Sequence, residues 1–290
     1  MPRCDARCDE NIPPLKKGAF PLLVRGIFEM NSLNSDQVQQ FIEEGFVRLD
    51  KAFPRDLADE GRAILWRHTG CDPDDRTTWT KPVVWLGDHA EEPFRRAVNT
   101  ARLHAAFDQL VGKGRWEPRH SLGTFPVRFP SQGDTGDTGW HVDASFAGED
   151  SDPNDFLSWR VNVSSRGRAL LMLFLFSDID EKEAPTRIRV GSHLDVAKTL
   201  ESAGEAGMTL RELAPTLAAT VGRSEVIATG EAGTVYLCHP FLVHAAQINL
   251  GTQPRFMAQP PLSPTEPFEL HRSDDDSYSP VERAIRRGLS

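Results

Sequence analysis

Apolar residues recur at helical spacing in the first part of the chain and at alternate positions after about residue 120. Asn34 or Ser35 can cap a helix carrying Val38, Phe41 and Ile42, which Gly45 ends. Phe46 to Leu49 alternates as a short strand. A second helix spans about Pro54 to His68, with Leu57, Ile64 and Leu65 on one face and Gly61 as a mild weakness. Residues 69–92 read as loop, with Trp79 and Trp85 as packing aromatics near Pro82. Helical segments follow near 93–98 and 100–112, the second marked by Leu103, Phe107, Leu110 and Val111. The period then changes. Ser121 to Phe129 is a strand interrupted by Pro126, and Ser131 to Gly139 is a turn segment rich in Gly, Asp and Thr. Phe156 to Val163 is extended, Arg168 to Phe176 is a buried strand, and Thr186 to Val190 alternates. Helical runs occupy 195–219. Further strands are expected at Ser224–Ala228, Thr234–His244 and Arg255–Gln259, before the Pro-rich 260–267 loop and a short amphipathic piece with Val281 and Ile285.

Helices followed by many strands, with no βαβ alternation and no internal repeat, predict a β core covered by helices. The economical solution for this number of strands is mainly β with flanking helices: a double-stranded β-helix (a cupin-like jelly roll) packed by the N-terminal helices. Residues 1–29 lack periodicity, and Met30 precedes a strong helix start. They are expected to be a flexible extension, leaving 30–290 as a single domain.

Composition narrows the partners. The 33 basic and 42 acidic residues give a net charge of -9, which argues against nucleic acid or an anionic membrane as the main partner. A small-molecule substrate remains. The 4 cysteines show no paired zinc spacing: Cys4 and Cys8 stand in the loose terminus, and Cys238 reads as a reduced buried thiol. No signal peptide is visible, and the apolar run Leu170 to Phe176 is far short of the ~20 residues a membrane-spanning helix needs. The expected location is cytoplasmic.

The chemistry concentrates at Trp140-His141-Val142-Asp143. In an extended strand, positions i and i+2 share a face, so His141 and Asp143 aim at one point. With a distant His they compose the 2-His-1-carboxylate set of a non-haem Fe(II) centre. A second pair, His193-Leu194-Asp195, competes. The 141–244 interval holds at least four strand candidates, whereas 193–244 holds a helical stretch, one short strand and the strand bearing His244. Opposing sheets need the longer interval, and His193 follows what looks like a strand end turning into a helix, so the first pair is preferred. For the third ligand His244 competes with His239, where Pro240 favours a turn. Arg255, on the next strand candidate after Asn249-Leu250-Gly251, is expected beside His244, able to clamp a carboxylate bidentately. Thr186 shares its alternating strand with Ile188 and Val190; it can reach a cosubstrate from there, with core packing as the competing role. Arg187 and Arg189 point the other way and read as solvated. Arg128, Trp159 and Arg160 are weaker candidates for substrate contact.

Four blocks in order resemble the phytanoyl-CoA dioxygenase family of Fe(II)/2-oxoglutarate oxygenases, over about residues 33 to 262. They are Leu33 to Val47, Trp140 to Asp143, the segment ending Gly191-Ser192-His193, and Gly233 through His239-Pro240 to His244 with Asn249 and Arg255. The resemblance implies His141, Asp143 and His244 as iron ligands and Arg255 as partner of the distal 2-oxoglutarate carboxylate. It implies that the His193 pair is structural. It also implies Fe(II), 2-oxoglutarate and O2 as cofactors, and hydroxylation of a small molecule with release of succinate. A non-catalytic metal- or ligand-binding jelly roll and a 2-oxoglutarate-independent iron oxygenase are the competing functions. The chain departs from the family at Ala246, where a Ser is common, at Glu183-Ala184 in place of Asn-Gly, at Val190 in place of Pro, and at Leu173 near the place of a Trp. The family's name is therefore not a substrate assignment.

Overall fold

In the structure, a computed structural model that describes residues 32–133, 135–274 and 277–290, the first helix begins and ends where its caps dictate. Asn34 and Gln37 form a reciprocal capping box at the start of α1 (Ser35–Glu44), and Gly45 closes it at φ 87. A side chain at Gly45 is excluded twice over, since a Cβ would also lie 2.5 Å from His193 Nδ1. The expectation for residues 1–29 lies outside the described residues.

The chain continues through β1 (Phe46–Leu49), α2 (Arg55–Thr69), β2 (Val83–Leu86), α3 (Glu92–Val98), α4 (Ala101–Leu110) and β3 (Phe125–Arg128). It then passes through β4 (Arg160–Val161), β5 (Leu170–Leu175), β6 (Thr186–Arg189), α5 (Ser192–Glu201), β7 (Met208–Thr209) and α6 (Leu210–Leu213). Strands β8 (Glu225–Ala228), β9 (Val235–Cys238), β10 (His244–Ala245), β11 (Met257–Ala258) and β12 (Pro261–Leu262) lead to α7 (Pro280–Leu289). The paired strands are antiparallel. The larger sheet runs β1-β9-β5-β11, with β12 also on β5; a smaller one runs β10-β6-β8.

Strand β5 explains the layering. It is buried throughout, so its alternation separates two apolar environments rather than core from water. Leu171, Leu173 and Leu175 join Tyr236 and Cys238 of the same sheet and Ile188 and Ala228 of the smaller sheet. Leu170, Met172 and Phe174 face the cluster containing Phe41, Phe53, Leu65 and Phe107 from the helical first third. The result is mixed helix and strand, with antiparallel sheets sharing one apolar layer and helices covering the larger sheet. Each such buried side chain contributes about 1.5–3 kcal/mol.

Several elements differ from the sequence expectation, among them β2, which lies in the stretch read as loop and pairs with β3, and β12, which lies in the Pro-rich loop and pairs with β5. Thr234–His244 is not one strand: β9 ends at Cys238, and β10 starts at His244 in the other sheet. Pro240 offers no N–H, and Leu242 N donates to His239 O, making the turn that carries the chain across. Phe156–Ser158 is a single 3₁₀ turn capped by Asp155, so only Arg160–Val161 of that stretch is strand. The 195–219 run comprises the end of α5, then β7, α6 and a 3₁₀ segment, Ala214–Thr220.

Candidate metal centre

His141 stands opposite His244 in an isolated antiparallel bridge, with His141 N donating to His244 O at 2.9 Å and His244 N to His141 O at 3.0 Å. The bridge is therefore what brings the two imidazoles together, at 4.4 Å between ring centroids. Each ring has its Nδ1 on the carbonyl two residues earlier: His141 on Gly139 O at 2.8 Å, His244 on Leu242 O at 3.0 Å. With Nδ1–H donated to a carbonyl, the lone pair resides on Nε2. Both Nε2 atoms lie 3.7 Å from the same oxygen, Asp143 Oδ1. That is too long for a hydrogen bond, and one ligand atom from each of the three lies within 4.8 Å of the others, close enough to converge on one ion. Residues 138–141 are held from β6: Arg187 donates to Thr138 O at 2.9 Å, and the Arg187 and Arg189 guanidiniums sit 4.7 and 4.2 Å from the Trp140 ring centroid. The expectation that these two arginines are solvated is thus corrected; Arg189 is buried and also donates to Thr220 Oγ1.

The electrostatics suit a cation. Burial works against charge on Asp143, but Arg168, His244 and His141 outweigh it and hold the carboxyl below the usual range. Burial, then His141, pushes the His244 imidazole down to about 4, so its Nε2 is unprotonated at neutral pH. In the sequence, Arg168 has no role beyond opening the buried strand. Its Nη1 lies 3.2 Å from Asp143 Oδ2, and its Nη2 donates to Ala144 O at 3.0 Å. It thereby puts a positive charge at the outer carboxylate oxygen and leaves Oδ1 to the histidines. Its one local hint is a charge at the mouth of an apolar strand.

Arg255 does not sit across a hairpin from His244. It pairs through its backbone with Arg128, as β10 is occupied by β6 and His141. Its guanidinium is buried, with Nη1 donating to Ala184 O at 2.7 Å and Nε without a partner. Burial, then Arg128, presses it down to about 9, with Asp137 acting in the opposite sense. Asp137 itself is bonded to Arg128 and Thr135. A buried, incompletely paired guanidinium is the environment a carboxylate ligand would complete. Thr186 is also fully buried, its hydroxyl 3.9 Å from Met257 Sδ. Arg160 is taken up by Gly207 O at 3.0 Å, and the buried Trp159 Nε1 has no partner.

The rival pair is committed elsewhere. His193 Nε2 contacts Ile42 O at 3.1 Å, and Asp195 is held by the Arg223 fork at 2.9 and 2.8 Å. His239 is buried and accepts from Phe241 N. Beside His141, Val142, Leu157, Leu210, Leu213, Ala214 and Leu217 line an apolar pocket of about 60 Å³.

The phytanoyl-CoA dioxygenase (PhyH) family matches residues 41–257. The chain belongs to that family. The match spans all three facing donors and Arg255. No curated protein sequence matches the chain. Among solved structures, HygX from Streptomyces hygroscopicus, crystallised with nickel, 2-oxoglutarate and hygromycin B, is similar at TM-score 0.51 and 19% identity, over 84% of this chain and 94% of that one. The epimerase SnoN, in complex with Fe3+, alpha ketoglutarate and nogalamycin RO, gives 0.54 and 17%, over 80% and 82%. The carbocyclase SnoK from nogalamycin biosynthesis gives 0.51 and 17%, over 80% and 84%. Such identities carry the fold. PhyH membership makes this an oxygenase-type enzyme whose cofactors are Fe(II), 2-oxoglutarate and O2. No helix among the described residues is long and apolar enough to cross a membrane.

Proposed function

We propose that this PhyH-family protein hydroxylates a small molecule at an apolar carbon, on a jelly-roll domain formed by residues 30–290. His141, Asp143 and His244 hold Fe(II) through the two Nε2 atoms and Oδ1. Arg255 anchors the distal carboxylate of 2-oxoglutarate, with Thr186 alongside. Bound Fe(II), 2-oxoglutarate and O2 supply the oxidising chemistry, in which 2-oxoglutarate leaves as succinate and carbon dioxide and one oxygen atom enters the substrate.

The chain's own residues bind, orient and exclude water. Gly139 O and Leu242 O fix which imidazole nitrogen faces the metal. Arg168 keeps the Asp143 carboxylate ionised and turned inward. Because Asp143 provides a third protein ligand, no protein-vacated position is left for a halide, and hydroxylation is favoured over halogenation. The leucine-lined pocket at His141 receives the apolar part of the substrate and keeps it dry.

The observation that carries this reading is the pair of equal 3.7 Å separations from the two Nε2 atoms to Asp143 Oδ1. The test is succinate formation from 2-oxoglutarate with Fe(II) under air. Slow release is expected even without substrate, abolished in His141→Ala. Folded, iron-loaded protein that releases no succinate with any of a broad panel of apolar small molecules would overturn the proposal.

A further inference from the structure

A second group of nitrogen and oxygen donors lies away from β10. His68 is in the last turn of α2, His89 is in the loop after β2, and Glu91 immediately precedes α3. One donor atom from each lies within 4.8 Å of the others, as in the first group. The two imidazoles are near-parallel at 5.1 Å between centroids, and His89 Nδ1 is 3.1 Å from Glu91 Oε2. We propose that His68, His89 and Glu91 form a second metal site, taking a borderline divalent cation of the zinc class.

His89 is placed rather than loose. Its backbone N–H donates to Gly123 O, its carbonyl accepts from Leu122 N, and the Phe94 and Phe125 rings pack against it. The carboxylate of Glu91 occupies a helix N-cap position, yet it makes no capping bond and turns to His89 instead. His68 brings its ring from the carboxyl end of α2, where the unpaired carbonyls favour a cation. Two imidazoles and one carboxylate with an open fourth position are a zinc ligand set. The ion would tie the end of α2 to the β2–α3 loop. Arg95, four residues after Glu91, has its guanidinium bonded to Ala90 O at 2.6 Å.

The test is equilibrium binding of Zn2+ and Co2+ to the chelator-stripped full chain, with bound metal counted per protein. Wild type is expected to hold two equivalents. A double Asp143→Ala, His244→Ala variant should keep one, with a raised melting temperature on Zn2+ addition. Adding His68→Ala to that double variant should remove the remaining equivalent and its thermal shift. Because His68 is exposed, its loss is tolerable to the fold; Glu91→Gln, which keeps the shape, should weaken the same equivalent. A double variant that holds no equivalent would overturn the proposal. So would an equivalent that survives both His68→Ala and Glu91→Gln, since it would lie elsewhere, for example on Cys4 and Cys8. The proposal does not rest on the oxygenase reading: if no equivalent depends on Asp143 and His244, the one lost with His68 still stands.

Discussion

Arg168 shows how a single side chain can set the affinity of a site it does not ligate. By facing Asp143 Oδ2 at 3.2 Å, it orients the carboxylate and opposes its desolvation. Losing such a partner typically weakens metal binding about 10–100-fold. Arg168→Ala should therefore raise the Fe(II) dissociation constant by that factor in anaerobic titration, and Arg168→Lys should recover part of it. Equal losses in both variants would mean that Arg168 only packs. Arg255 makes a complementary prediction. Its charge lacks a full complement of partners, and a hydrogen bond to a charged group contributes about 1.5–3 kcal/mol. Arg255→Ala should raise KM for 2-oxoglutarate about 10–100-fold, leave Fe(II) binding unchanged and not lower the melting temperature. Unchanged KM would remove Arg255 from the cosubstrate site. The two residues also differ in what the chain alone reveals. The His141–Asp143 spacing is local, so a period-two argument suffices to aim them together. Arg168 reaches Asp143 only through tertiary packing, and no spacing rule encodes it.

At the scale of elements, the first helix was legible because caps are local chemistry: Asn34 and Gly45 mark ends that the structure places within a residue or two. The β9–β10 segment was not legible, because an apolar run has the same appearance whether it stays in one sheet or crosses to another. Only Pro240 hinted at the crossing, which delivers His244 to the smaller sheet. A different junction, between α5 and α1, has a pH signature. His193 is buried, its Nε2 on Ile42 O, and burial pushes it down to about 4. Its unfolded pKa is about 6.5, so the unfolded chain binds the extra proton between these values. Stability is then fully present above pH ~6.5 and lost as pH falls toward 4, by up to about 3 kcal/mol at ~1.4 kcal/mol per unit. Urea unfolding of the metal-free protein at pH 7.5 and 5 should show this loss. His193→Gln, which keeps a donor toward Ile42 O, should reduce the difference; an unchanged difference would place the proton uptake elsewhere, for example on His239, which burial also holds well below its ordinary value.

For the molecule as a whole, the last helix bridges helices of the first and second halves. α7 packs on α5 and α1, and the sequence marks only its apolar residues Val281 and Ile285, not what it encloses. Its Glu282 side chain is 0% exposed and accepts from Arg115 at 2.9 and 2.5 Å, Arg272 at 3.1 Å and Ser279 N at 2.8 Å. Burial opposes the charge, but the Arg115 and Ser279 hydrogen bonds hold the carboxyl below the usual glutamate range. A carboxylate shifted that way stabilises the fold above its unfolded pKa of about 4.3, and the contribution disappears as pH falls through the lower folded value. Removing one partner of a buried ion pair costs about 3–5 kcal/mol. Here Arg115 and Arg272 keep 29% and 23% of their side chains exposed, so water can take up much of their charge and the lower end applies. Glu282→Ala should thus reduce unfolding free energy at pH 7 by about 3 kcal/mol, seen as a lower urea midpoint. The deficit should shrink below pH 4, where wild type also loses the carboxylate. Fe(II) affinity of the folded variant should be unchanged, because the side chains and N–H bonded to Glu282, from Arg115, Arg272 and Ser279, belong to neither His141's segment nor the sheet that carries His244. A loss of iron affinity would show that the helical cover tunes the metal centre as well as the stability of the fold.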